Sequence, residues 1–266
     1  MTELVFLKLG GSLITDKTLA YTPRLDKLAN LAVQISTTLQ TLPDLSLVLG
    51  HGSGSFGHTS AKEHGTRQGV GTARQWRGFA EVWFQASALN RFVMGALHEA
   101  GVPSLALAPV SAVTAKDGEI ANWDLAPLES ALAAGLVPVI YGDVIFDQAR
   151  GGTILSTEDL FMRLARKLRP QRILLAGLEA AVWADFPERK QRIEKITPAS
   201  FDRIKTGVGA SQSADVTGGM DSKVRQMLAL VTEIPTLTVQ IFSGEQPLNI
   251  SKALSGENLG TLITAN

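Results

Sequence analysis

The chain has 266 residues, with 25 Lys and Arg against 25 Asp and Glu, four His and no Cys. The absence of cysteine excludes disulfides, thiolate nucleophiles and Cys-ligated metal centres, and a formal net charge of zero gives no general attraction to nucleic acid or to an anionic membrane. With 45% hydrophobic and 19% charged residues, the composition excludes a disordered or coiled-coil chain and is ample for one large core.

Residues 4–9 read as a buried strand that stops at Gly10-Gly11-Ser12. The chain enters this strand with no basic segment or cleavage site ahead of it, and no run approaches the ~20 apolar residues of a membrane span. A cytoplasmic protein with no nucleic-acid or membrane partner is therefore expected. Residues 23–42 carry a helical pattern (Leu25, Leu28, Leu31, Ala32, Ile35, Leu39), opened by Pro23 and closed before Pro43. A strand at 45–49 leads into a loop of glycines and histidines, and a long helix at 74–100 is stopped by Gly101. Apolar runs at 104–108 and 136–141 flank a helical stretch at 125–134. The alternation then repeats: helix 157–168, strand 172–176, helix 220–232, strand 236–242 and a last strand near 261–264. Residues 184–218 are polar and read as loops and short hairpins. Parallel strands need crossover connections, so this order predicts an α/β fold, one continuous and mainly parallel sheet covered by helices. No linker divides it.

Ligands of such sheets sit beyond the carboxyl ends of the strands, where glycine lets backbone N–H groups approach an anion. Three glycine loops occur there, each followed by a helix: Gly10-Gly11-Ser12, Gly52-Ser53-Gly54-Ser55-Phe56-Gly57-His58 and Thr217-Gly218-Gly219-Met220. The second fits a dinucleotide fingerprint in its glycines, but no acid follows at the distance that fingerprint requires. It also fits a P-loop until the lysine, where His58 stands. Phosphate chemistry outside both families is the remaining reading. Lys8 ends the first strand at a position normally buried, where a lysine is costly unless paired or functional. Lys17 follows the first loop and Lys223 the third.

Lys8-Leu-Gly-Gly-Ser12, Ile14-Thr15-Asp16-Lys17, His51-Gly-Ser-Gly-Ser-Phe-Gly-His58, Tyr141-Gly-Asp-Val144 and Asp215-Val-Thr-Gly-Gly-Met220-x-x-Lys223 resemble the amino acid kinase superfamily. The Ser-Phe-Gly-His ending and the Ile-Thr-Asp-Lys extension resemble its isopentenyl phosphate kinase branch. The resemblance runs from residue 4 to the C-terminus. It implies an open three-layer αβα sandwich and a homodimer, with an acceptor lobe at about 1–170 and a nucleotide lobe at about 171–266. It also implies ATP and Mg²⁺ as cofactors and a small alkyl phosphate as acceptor. Lys8 would stabilise the phosphoryl group in flight, Lys17 and Lys223 would reach the nucleotide phosphates, and His58 would hydrogen-bond the acceptor phosphate. Gly10, Gly11, Ser12, Gly218 and Gly219 would cradle the nucleotide, and Gly52, Ser53, Gly54, Gly142 and Asp143 the acceptor. Phe79, Val82, Trp83 and Val144 would enclose the isoprenoid tail. The acid that orients the lysines would be Glu158, with Asp159 as the other candidate.

A phosphate monoester loses its second proton near pH ~6, so the attacking oxygen is already ionised and no general base is needed. Cationic stabilisation and positioning carry such a transfer. The superfamily's Thr-Asp-Val-Asp-Gly-Val-Tyr stretch is replaced here by Ala176-Gly-Leu-Glu-Ala-Ala-Val-Trp183. Two alternatives stand beside this reading: a kinase for another small phosphate or a phosphonate such as fosfomycin, and a non-catalytic nucleotide-binding protein. The apolar residues at 79, 82 and 83 weigh against the first, and retention of Lys8, Lys17, His58 and Lys223 against the second. His51 and His64 are expected to be structural.

Overall fold

The computed structural model describes residues 3–204 and 219–266, leaving aside the side chains of His58, Thr59 and 202–204. In chain order its elements are β1 (Glu3–Leu9), α1 (Gly11–Ile14), α2 (Leu25–Thr41), β2 (Leu45–His51), α3 (Gly54–His64), α4 (Ala73–Glu99), β3 (Ser104–Ala106), β4 (Val113–Lys116), β5 (Glu119–Trp123), α5 (Ala126–Ala133), β6 (Val137–Tyr141), β7 (Asp143–Asp147), β8 (Gly151–Leu155), α6 (Thr157–Leu168), β9 (Arg172–Gly177), β10 (Lys195–Ile196), α7 (Pro198–Ile204), α8 (Gly219–Glu233), β11 (Thr238–Ser243), α9 (Asn249–Leu254) and β12 (Thr261–Ile263).

Apart from Lys8, the buried part of β1 is apolar on both faces because both are covered. Val5, Leu7 and Leu9 pack against α2, α4 and α9, while Phe6 packs against α6 and α8. This two-residue alternation divides the core into two layers around one eight-stranded sheet, ordered β10-β12-β11-β9-β1-β2-β6-β3. Every pair in it is parallel except β11 with β12. The architecture is a three-layer αβα sandwich with β1 at its centre. Among the described residues, no helix is long and apolar enough to cross a membrane.

The sheet is not the single continuous one expected. A separate four-stranded sheet, β5-β4-β7-β8, departs where the chain turns at Gly142 from β6 into β7. Its strands are short, β4 is exposed on one side and β5 buries only Trp123, so they leave no apolar run. Their hairpin turns on Asp117-Gly118, both at positive φ (54° and 82°), the geometry that an Asp-Gly pair favours. Between 184 and 204 the expected loops hold a short strand and a helix, β10 and α7.

One carboxylate ties the small sheet's turns together. Asp147 accepts hydrogen bonds from the N–H groups of Asp117 (3.0 Å), Gly118 (2.7 Å), Ala149 (2.8 Å) and Arg150 (2.9 Å). Burial pulls its pKa upward, but these amides outweigh it and hold the carboxyl below its ordinary value. A depressed carboxylate stabilises the fold above its unfolded pKa and loses that contribution as pH falls through the folded one. Asp147→Ala should therefore cost about 3 kcal/mol in urea unfolding at neutral pH, four charged hydrogen bonds being lost together. The gap from wild type should narrow in acid; a gap independent of pH would show that the carboxylate's charge is not what holds the turns.

Candidate active site

A cavity of about 1040 Å³ opens at the carboxyl ends of β1, β2 and β9. β1 is the point from which the sheet grows in both directions, to β2 on one side and β9 on the other, and such a crevice is the ordinary ligand site of an open α/β sheet. Six basic side chains (Lys8, Lys17, Lys62, Arg67, Arg189, Lys223) line it against four acidic ones (Glu63, Asp143, Glu158, Glu179), so a chain with no net charge has a basic cavity.

Its floor is glycine pressed on glycine. A Cβ on Gly11 would lie 2.3 Å from the Gly54 nitrogen, and one on Gly52 would lie 2.8 Å from the Gly11 nitrogen. Gly54 also holds φ at +49°, which glycine alone adopts at no cost. The segment expected as a loop over 52–58 is a loop only to Ser53; α3 starts at Gly54 and carries the backbone of His58 in its second turn. Thr15 fastens the two loops together. Its hydroxyl donates to the Gly11 carbonyl (2.8 Å) and accepts from the Ser55 amide (3.0 Å).

Lys8 follows Phe6 on the face of β1 covered by α6. Phe6 meets Phe161 at 5.1 Å between ring centres, and one step along both elements Lys8 Nζ meets Glu158 Oε1 at 2.9 Å. The pair is nearly inaccessible, Lys8 being 7% and Glu158 4% exposed. Burial would raise the Glu158 carboxyl, but the charges of Lys8 and then Lys223 overcome it and hold its pKa below the ordinary value. Glu158 is thus the acid next to the lysines. Asp159 is committed elsewhere: Oδ2 accepts from the Ser156 amide (2.8 Å) and hydroxyl (2.7 Å), capping α6, and Oδ1 accepts from Gln226 (2.9 Å).

Lys17 sits on an exposed loop whose ends are held by a Thr15–Pro23 bridge and whose turn is closed by the Asp16 carboxylate on Thr18 N–H (2.7 Å). Gly10, Ser12 and Gly219 line the cavity with Lys17 and Lys223, whereas Gly218 and the His58 side chain lie outside the described residues. The 176–183 stretch lines it too. There Glu179 accepts from Arg189 (2.8 Å) and from the Trp183 indole (3.0 Å). Hydrogen bonding from Arg189 holds the Glu179 carboxyl below its ordinary pKa, burial opposing and the Trp183 and Lys17 contributions adding to the lowering.

The other end of the cavity is apolar. Val82 and Ala86 of α4 and Ile154 of β8 line it. Phe79 and Val144 do not; they pack behind that wall with Val70, Phe79 lying over Gly152. Trp83, expected beside the tail, stands apart from that wall. It is 42% exposed and does not line the cavity, because α4 turns its 79, 82, 86 and 89 stripe inward and residue 83 lies beyond that stripe's edge. His51 is fully buried between Asn90 (3.1 Å) and the Gly52 carbonyl (3.1 Å), and burial lowers its pKa. Sequence reasoning missed Thr15 as a clamp and Arg67 as part of the lining. Thr15 lies within the Ile14-Thr15-Asp16-Lys17 motif, but that motif does not signal its contacts with Gly11 and Ser55, and Arg67 belongs to no motif at all.

Gly142 and Asp143 line the cavity at the corner between the two sheets. Burial pushes the Asp143 carboxyl up to about 7, against the hydrogen bonds of the Val144 and Val110 amides. A carboxyl raised in the folded state stabilises the fold fully below its unfolded pKa and loses that contribution as pH rises through the folded one. Asp143→Asn, which stays neutral, should gain on wild type by a few kcal/mol in ligand-free unfolding between about pH 4 and pH 8. A difference that does not change with pH would contradict the raised carboxyl.

The sequence model of the amino acid kinase family matches residues 3–243. An isopentenyl phosphate kinase of Haloferax volcanii is 36% identical, covering 98% of this chain and 98% of its own length. One of Methanothermobacter thermautotrophicus is 32% identical over 98% of this chain and 99% of its own length. A solved isopentenyl phosphate kinase superposes with a TM-score of 0.82 at 29% identity, covering 98% of this chain and all of the other. The glycine floor, the lysines at the ends of β1 and in α8, and these full-length likenesses agree: the chain belongs to the amino acid kinase family, among the isopentenyl phosphate kinases.

Proposed function

We propose that this protein transfers the γ-phosphoryl group of ATP to the phosphate of isopentenyl phosphate, giving isopentenyl diphosphate and ADP. The observation that carries this is the composition of one cavity: a basic, glycine-floored end that continues into a wall of Val82, Ala86 and Ile154. An alkyl phosphate has the same two ends.

An ionised acceptor oxygen attacks the γ-phosphorus, and the bond from that phosphorus to the β,γ-bridging oxygen breaks, leaving ADP. Because the nucleophile is already an anion, the chain's task is to hold two anions together and to offset charge as the transfer proceeds. Lys8 is fixed in direction by Glu158 and faces the phosphoryl group in flight; a preoriented cation costs no reorganisation at the transition state. Lys17 and Lys223 serve the nucleotide phosphates, the amides of the Gly10–Ser12 and Gly52–Gly54 loops take phosphate oxygens, and His58 donates to the acceptor. The sheet's growth from β1 in both directions supports an acceptor lobe over about 1–170 and a nucleotide lobe over about 171–266. Among the described residues, no three His, Asp or Glu side chains cluster in metal-ligating geometry. Mg²⁺ in nucleotide complexes takes phosphate oxygens and water, with few ligands from the protein. A cytoplasmic homodimer belongs to the same reading.

Purified protein with ATP and Mg²⁺ should convert isopentenyl phosphate, and also dimethylallyl phosphate, to the diphosphate, and should leave fosfomycin largely untouched. No diphosphate from either prenyl phosphate would overturn the proposal. Val82→Ala removes two methyl groups from the wall and should shift relative kcat/KM toward longer prenyl phosphates by about 10-fold or more, a methylene in such a pocket being worth ~1–3 kcal/mol. An unchanged chain-length profile would show that the tail lies elsewhere.

A further inference from the structure

Arg67 lines the cavity from the 3₁₀ turn Thr66–Gln68, directly after α3. Its backbone is anchored to the acceptor wall, since the Thr153 hydroxyl, next to Ile154, donates to the Arg67 carbonyl (3.2 Å). Among the described residues its side chain makes a single ion-pair contact, to Asp159 Oδ2 at 3.8 Å. That oxygen is already held by the Ser156 amide and hydroxyl, and the other oxygen by Gln226. Among the described residues Arg67 Nη1 has no hydrogen-bond partner, although it is itself shielded from solvent, while the side chain as a whole is 30% exposed. Without ligand, therefore, a guanidinium stands at the cavity's edge with its donors unspent and its charge only loosely countered.

The reaction proposed above leaves a matching gap. Three lysines are engaged with the transferred and nucleotide phosphates, while the acceptor dianion meets backbone amides and one imidazole. When one acceptor oxygen attacks, two non-bridging oxygens stay in place, and two coplanar oxygens are what a guanidinium fork fits. We propose that Arg67 binds these two oxygens of the acceptor phosphate, and so is a further binding residue for the acceptor. This rests on the phosphoryl-transfer reading.

The test is steady-state kinetics of Arg67→Gln and Arg67→Lys with isopentenyl phosphate and ATP varied in turn. In Arg67→Gln the KM for isopentenyl phosphate should rise about 10- to 100-fold, the worth of a hydrogen bond to a charged group, with the ATP KM within about twofold. Arg67→Lys keeps the charge without the fork and should recover part of the loss. An arginine that merely props the N-terminus of α6 would lower kcat and thermal stability without this split between the substrates. An acceptor KM within twofold of wild type, or a rise shared equally by ATP, overturns the assignment. Should wild type form no diphosphate, the reaction itself falls, and Arg67 is then judged by calorimetric titration of inorganic phosphate. Weaker binding by Arg67→Gln supports it, and equal affinity refutes it.

Discussion

The organising interaction is the buried ion pair between Lys8 and Glu158. An ammonium at the end of a strand covered on both faces is tolerable only if its counter-charge is delivered to it, so the start of α6 has to lie over the end of β1. The Phe6–Phe161 contact one step back along the same two elements sets that register with apolar packing. The charged pair then inherits its geometry from the core instead of having to fix it. Such a pair contributes little net stability when intact; its value is that a cation is held in one direction at the mouth of the cavity.

Most strands of the large sheet were readable because burial on both faces writes an apolar run, as in Val5–Leu7 and Val137–Tyr141. β4 has one wet face and alternates, and β5 buries only Trp123, so no run marks them. Their Asp117-Gly118 turn was a visible hairpin signal all the same. The choice between Glu158 and Asp159 was also present in the spacing, since Ser156 three residues before Asp159 is a helix-capping pattern that spends the second acid. The aromatic identities in α4 did not reveal which side chains line the cavity. Its tryptophans lie at the edges of the buried stripe, while the smaller Val82 and Ala86 face the cavity. Arg67 had no legible signal, because what distinguishes it is an unspent donor, a property of its neighbours in space.

The two ends of the cavity are built from different materials. The phosphate end consists of main chain packed on main chain and of charges held by partners inside the fold. The proposed tail end consists of apolar side chains from α4 and β8. On the proposed reading, chemistry and selectivity are carried by separate parts of the sequence, although they share one volume.

The contact between Gly11 and Gly54 gives that separation a mechanical meaning. With no side chain between them and Thr15 bonded to both, the two phosphate-holding loops behave as a single casting. The span from donor to acceptor is then a dimension of the scaffold, like the gap of a calliper locked at one setting. On the proposed reading, a change in the apolar wall alters which tail fits, while the reach across which a phosphoryl group must pass stays the same.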